Sequence, residues 1–120
     1  MKILFYQTEN GFCPMKAFLC ALNQKSKNGD KHAKVLMKKI AYTMELLKER
    51  NGYLPKELAK KVTDNIWELR PLDHRIFYFF WKNRQCVILH AFRKKSRKTP
   101  LREIRRAEAE RKDWIKRYGE

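Results

Sequence analysis

Long apolar stretches are missing from this chain. Its longest, Ile76 to Trp81, falls far short of the ~20 residues that a membrane-spanning helix needs, which excludes a helical span. Met1 to Gln7 lacks the long apolar segment and small-residue cleavage site of a secretory signal, so a cytoplasmic protein without membrane attachment is expected. Three cysteines, Cys13, Cys20 and Cys86, are an odd number without the spacing of a disulfide framework, which fits a reducing compartment. Neither they nor the histidines show a Cys-x-x-Cys or His-x-x-x-His spacing, so no metal or cofactor site is read from the sequence. Repeats, low-complexity tracts and interdomain linkers are also missing. Acidic residues are scarce: 13 stand against 29 Lys and Arg, a formal net charge of +16 with a pI near 10.0.

What is present is a strongly cationic body of ordinary apolar content. The 120 residues make one domain, 1–120, and a 43% hydrophobic fraction is enough to bury a modest core without disulfides. Charge of this sign and density attracts nucleic acid, an anionic membrane or an acidic protein partner. Half of it is concentrated: residues 93–117 hold twelve basic and four acidic side chains, a net +8.

The pattern along the chain predicts an α+β fold. Lys2 to Gln7 reads as a first strand, closed by Asn10-Gly-Phe-Cys-Pro14. Pro14 suits the opening of a helix over about Met15 to Gln24, since no amide donor is needed there. Ser26 to Asp30 is read as a turn. Ala33, Met37, Ile40, Met44 and Leu47 then recur at spacings of four and three, the stripe of an amphipathic helix. Asp30 is its expected N-cap and Asn51-Gly52 its stop. After a less regular segment, Leu54 to Asn65, three strand blocks follow: Ile66 to Arg70, Arg75 to Trp81 and Val87 to Phe92. Their short separators predict an antiparallel meander. Beyond Pro100 a final helix is expected, with Leu101, Ile104, Ala107, Trp114 and Tyr118 on one face and Arg105, Arg106, Glu110 and Lys112 outside. The fold class is therefore an N-terminal strand and helical hairpin packed on a small antiparallel sheet, with a C-terminal helix.

The third strand runs straight into Arg93-Lys-Lys-Ser-Arg-Lys-Thr-Pro100. A sheet would hold these cations rigid, which suits a polyanion better than a small neutral ligand. A solvated loop is the plain reading of Arg93, Lys94, Arg97 and Lys98; the local charge favours phosphate contact. Arg70 and Arg75 each have a carboxylate within sequence reach, Glu68 or Asp73, and either can be a structural pair instead of a ligand contact. Strand alternation groups His90 with Ile88 and Phe92, opposite Leu89 and Ala91. Its ordinary pKa of ~6.5 suits a general acid or base, although such a strand histidine is ordinarily structural. His74, in a hairpin turn, is a candidate for RNA contact. Tyr78 and Phe92 are the best candidates for stacking on a base, and Trp67 and Trp114 for packing anchors.

Trp67-Glu-Leu-Arg70, then Arg75-Ile-Phe, then Phe92 with Lys94-Lys95 and Lys98-Thr-Pro100 before a closing helix, together resemble the phage-related HigB branch of the RelE/ParE toxin superfamily. The resemblance covers nearly the whole chain and implies a RelE-like fold and a toxin of a type II toxin–antitoxin pair. It implies a ribosome-dependent endoribonuclease that cuts messenger RNA by 2′-hydroxyl attack on the scissile phosphate. The alternative is a non-catalytic, ParE-like inhibitor of DNA gyrase. The implied partners are a helix-turn-helix, HigA-like antitoxin, the ribosome and mRNA, with higher-order toxin–antitoxin assembly possible. Arg75 falls where RelE-type nucleases carry a phosphate-contacting strand arginine, and Lys95 near a second one. Arg70 would reach the same cleft, with Lys94 and Lys98 extending its rim. The chain departs from RelE in having Ile66 and Glu68 where paired lysines stand, and in lacking a tyrosine just after the basic segment. The proton-transfer residues are not identified by the resemblance.

Overall fold

A computed structural model describes residues 1–120. The elements are β1 (Lys2–Phe5), α1 (Pro14–Lys27), α2 (Lys31–Glu49), β2 (Ala59–Lys61), β3 (Trp67–Leu69), β4 (His74–Trp81), β5 (Gln85–Arg93) and α3 (Leu101–Tyr118). One sheet holds all five strands in the order β1-β5-β4-β3-β2. The expected meander of β3, β4 and β5 is antiparallel, and β2 extends it by another antiparallel strand. β1 instead lies parallel to β5, with Phe5 opposite Ile88. The sheet is therefore mixed. Parallel neighbours need a crossover of a dozen or more residues, and the α1–α2 hairpin lies within the connection between them.

Local chemistry sets the helix ends. Pro14 occupies the first turn of α1, which continues past Gln24 to Lys27, so the turn shrinks to Asn28-Gly29 ahead of Asp30. Asp30 caps α2, accepting a hydrogen bond from the Ala33 amide at 3.0 Å. At the far end Asn51 (φ 51°) and Gly52 (φ 87°) turn left-handed, and Gly52 N–H donates to Leu47 O at 2.9 Å. A side chain at Gly52 would collide with Phe80, whose ring lies 2.4 Å from where a Cβ would sit. The buried line of α2 is Ala33, Leu36, Ile40, Thr43 and Leu47, with Met37 and Met44 on its flank. Thr43 fits at the centre because its hydroxyl donates to the Lys39 and Ile40 carbonyls of its own helix.

Each face of the sheet builds its own core. Ile76, Tyr78, Cys86 and Ile88 meet the α1–α2 hairpin, while Phe77, Phe79, Val87 and Leu89 meet Ala107 and Trp114 of α3. This matches the alternation expected for β4. On β5 it breaks. Ile76 pairs with Ala91 but Tyr78 pairs with Ile88, so Phe77 alone faces both Leu89 and His90. That β-bulge puts His90 on the α3 side with Leu89 and Phe92, and sends Ile88 to the opposite face. The grouping of His90 with Ile88 is thereby corrected, and its grouping with Phe92 stands.

α3 also departs from expectation. Ala107 and Trp114 are buried, but Leu101 and Tyr118 at its two ends are exposed, by 58% and 50%. Glu110, expected outside, is buried against His90. Tyr78 and Phe92 are buried in the two cores, so neither ring is free to stack on a base. No helix of the molecule is long and apolar enough to cross a membrane.

Candidate nucleic-acid interface

Successive strand residues point to opposite faces. At the start of β4, His74 therefore turns toward the α1–α2 hairpin, where its ring meets Phe18, and Arg75 turns toward the α3 side. The chain leaving β5 passes the same spot, because Lys94 N–H donates to Asp73 O at 2.8 Å. This bond brings the basic segment beside Arg75. Arg75, Asp73, Lys94, Lys95, Ser96 and Arg97 line an open hollow of about 530 Å³. A neighbouring hollow of about 330 Å³ shares Lys94 and Arg97 and adds Lys60, Lys61, Glu68, Arg70 and Lys98. Together they form one trough with eight cationic side chains and two carboxylates, Asp73 and Glu68. α3 begins at Leu101, so the positive end of its dipole adds to the same field.

Arg75 is held firmly. Its Nη1 donates to the Leu72 carbonyl at 3.1 Å and to the His74 carbonyl at 2.7 Å. Leu72 has φ 52°, an uncommon value for a residue with a side chain, in the turn that offers this carbonyl. The Nε lies 3.6 Å from Glu68 Oε2, an ionic neighbour outside hydrogen-bond range. Nη2 makes no hydrogen bond within the protein. Burial pulls the Arg75 pKa below the ordinary arginine value; the Glu68 charge opposes this and the Arg70 charge adds to it. The group remains a cation at any physiological pH.

Glu68 is only 2% exposed, and a buried carboxylate needs partners. It has Arg70 Nε at 3.5 Å and Arg75 Nε at 3.6 Å, and it accepts from Thr99 Oγ1 at 3.3 Å. Arg70 also donates to Lys56 O. The structural reading of both arginines therefore holds, and Arg75 combines it with a place in the trough. Lys95, Arg97 and Lys98 are exposed, Lys94 is half-buried, and none of the four makes an ion pair.

The remaining candidates lie elsewhere. Arg93 Nε donates to Asp73 Oδ2 at 3.0 Å, and His74 Nδ1 lies 2.9 Å from Asp73 Oδ1. Both face a separate recess on the hairpin side of Asp73. His90 is 1% exposed and enclosed, with Nδ1 2.5 Å from Glu110 Oε1 and Nε2 3.0 Å from Glu103 Oε1. The expectation of His90 as a general acid or base is corrected: α3 covers it, and it joins sheet to helix as a buried polar link.

Lys60 and Lys61 escaped sequence reading because three residues of β2 carry almost no periodic signal. The turn after them was the available clue. Thr63 Oγ1 accepts from the Asn65 and Ile66 amides, the behaviour of a Thr-Asp-Asn turn closing a hairpin. The resulting register puts Lys60 opposite Glu68.

The family model described as phage derived protein Gp49-like (DUF891) matches residues 17–112, a stretch that includes every residue of the trough. No curated protein matches the chain.

Proposed function

We propose that this chain, which belongs to the Gp49-like phage-derived protein family, is the toxin of a toxin–antitoxin pair and arrests translation by cutting ribosome-bound messenger RNA. The family is one associated with RelE- and HigB-like toxins, which supports the toxin role. The nuclease reading rests on one observation: an immobilised arginine, Arg75, and a free lysine, Lys95, line the same hollow.

A scissile phosphate seated there meets Arg75 Nη2 and the Lys95 ammonium at its non-bridging oxygens. The adjacent ribose 2′-oxygen attacks phosphorus in line, the bond to the 5′-oxygen breaks, and one proton leaves the 2′-hydroxyl while one reaches the departing 5′-oxygen. Negative charge grows on the phosphorane, so fixed cations stabilise the transition state more than the ground state. Requiring a 2′-hydroxyl selects RNA over DNA. No histidine lines the hollow, and the protein's part is charge neutralisation and orientation. The ribosome supplies the rest of the alignment by fixing codon and phosphate.

A body of net charge +16 docks on ribosomal RNA with a large, salt-sensitive electrostatic contribution. The same trough suits an acidic segment of a HigA-like, helix-turn-helix antitoxin, and such pairs can join into larger assemblies. Adding the protein to a translating extract tests this reading. Message cut at codon-spaced positions is the expected result. Intact message with failing DNA supercoiling would replace the nuclease by a gyrase inhibitor. Intact message with normal supercoiling would leave a nucleic-acid-binding module.

A further inference from the structure

A separate concavity lies outside the trough. It has a volume of about 570 Å³ and lies where the α1–α2 turn meets the start of β4 and the end of β5. Phe18, Leu22 and Leu36 give it an apolar floor, and His32 and His74 contribute ring faces to its wall. The Phe18 and His74 rings lie 5.6 Å apart at 50°, with the His32 ring 6.4 Å from His74. The rim carries Lys25 and Arg93, with one carboxylate, Asp30, whose Oδ1 is committed to the Ala33 amide. Flat walls with a cationic rim suit a heteroaromatic ring attached to phosphate. An aliphatic side chain would leave Lys25, the rim cation without an ion pair, unused.

Asp73 joins this recess to the trough. On one side its Oδ1 lies 2.9 Å from His74 and 3.3 Å from His32, and its Oδ2 accepts from Arg93. On the other side Asp73 itself lines the hollow of Arg75 and Lys95. A polynucleotide with one phosphate in that hollow can therefore turn over the end of the sheet and lower a neighbouring base into the recess. We infer that the recess between Phe18, His32 and His74 is a base-binding subsite for the RNA strand whose phosphate lies beside Arg75 and Lys95. This inference rests on reading the trough as an RNA site, and it gives Arg93 and His74 their place beside the strand. The buried rings of Tyr78 and Phe92 are then unnecessary for base recognition, because Phe18, His32 and His74 supply the stacking surface.

Ala21 is exposed on α1 and borders the recess, so Ala21→Trp fills the space without disturbing the core. The probes are fluorescent, fully 2′-O-methylated oligonucleotides, which cannot be cut, each paired with copies that lack one base at one position. Binding is measured by anisotropy at low salt, where phosphate contacts are strongest, and circular dichroism verifies that the variant is folded. Losing one particular base should weaken wild-type binding by about tenfold. Ala21→Trp should bind intact and abasic probes alike, and Lys95→Ala should weaken both in equal proportion. Equal wild-type affinity for all probes, or a base preference that survives in Ala21→Trp, overturns the subsite while leaving the trough intact. Unchanged binding in Lys95→Ala overturns the trough reading and, with it, the adjacency inferred here. No binding of any probe overturns both.

Discussion

Basic side chains flank α3 at both ends, in the segment that leads into it and in its last turn, yet the two ends employ them in opposite ways. At the C-terminal end the fold consumes Arg117. Arg117 Nη2 donates to Asp113 Oδ2 at 2.8 Å and to the Gln7 carbonyl, while Tyr6 OH donates to the same Asp113 oxygen at 2.7 Å. Trp81 Nε1 and Lys82 Nζ close the end by donating to Gly119 O and Tyr118 O. Just before the N-terminal end Lys94, Lys95, Arg97 and Lys98 gather beside Arg75, and none of the four makes an ion pair. The helix has four acids of its own, and each is spent internally: Glu103 and Glu110 on His90, Glu108 on Thr63, and Asp113 on Tyr6 and Arg117. Net charge says that a polyanion is attracted. Pairing says where the attraction is left unspent.

Breaking the N-terminal end should produce the largest effect. Lys95→Ala should lower RNA cleavage by roughly a hundredfold or more, the scale of removing one transition-state contact, with an unchanged melting temperature. Arg75→Ala should lose as much activity and also stability, because it takes one of two cationic neighbours from the buried Glu68. Full growth inhibition by both variants would remove the proposed site.

Breaking the C-terminal end should do the reverse. Arg117→Ala removes charge-assisted hydrogen bonds to Asp113 and Gln7 and should cost about 2 kcal/mol in denaturant unfolding. Cleavage per folded molecule should match wild type. A specific activity that falls with stability intact would show that the two ends are not separable.

Much of this contrast could be read before any coordinates, and the reason differs by element. The 3.6-residue stripe, Asp30 and Asn51-Gly52 announced α2 because cap and period agree locally. The β4 alternation sent Arg75 and Phe77 to one face, and the end of β5 brought Lys95 near by necessity of the hairpin. What failed was non-local. His90 was misgrouped because one extra residue in β5 reverses a two-residue period, and a bulge leaves no mark on composition. Glu110 looked solvent-facing because charge on a helix ordinarily is; only the buried imidazole across from it makes the inward position favourable. Glu68 reads in the sequence as a departure from a basic site, and only the register sets it between Arg70 and Arg75, with Lys60 on the neighbouring strand.

A smaller effect separates the ends by pH. Burial, then the hydrogen bond to Asp113, pushes the Tyr6 hydroxyl up to about 12. Its folded value lies above the ordinary 10.0, so the associated stability is complete below pH 10 and is lost as pH rises through about 12. The Asp113 carboxyl is held below 3.8, chiefly by the hydrogen bonds from Tyr6 and Arg117. Its contribution is complete above that value and is lost as pH falls through the lowered one. Tyr6→Phe should cost about 1 kcal/mol near neutrality and shrink the alkaline loss of stability. Burial also raises the Tyr78 hydroxyl, so part of that loss should survive in the variant. An alkaline limb identical to wild type would deny Tyr6 its part in the closure.

Lys98→Ala should give the smallest change and sharpen the contrast within the trough itself. Lys98 lines the hollow of Arg70 and Glu68 but not the one shared by Arg75 and Lys95. It is exposed and unpaired, so its removal neither strands a buried charge nor frees a strained backbone. A lysine that meets phosphate only in docking contributes through released counterions. Ribosome affinity should therefore fall a few-fold at low salt, with the slope of log affinity against log salt reduced by about one. The cleavage rate at saturating ribosomes should be unchanged. A loss of that rate comparable to Lys95→Ala would mean that the reacting phosphate lies in the Glu68 hollow, and that Arg75 binds a flanking one.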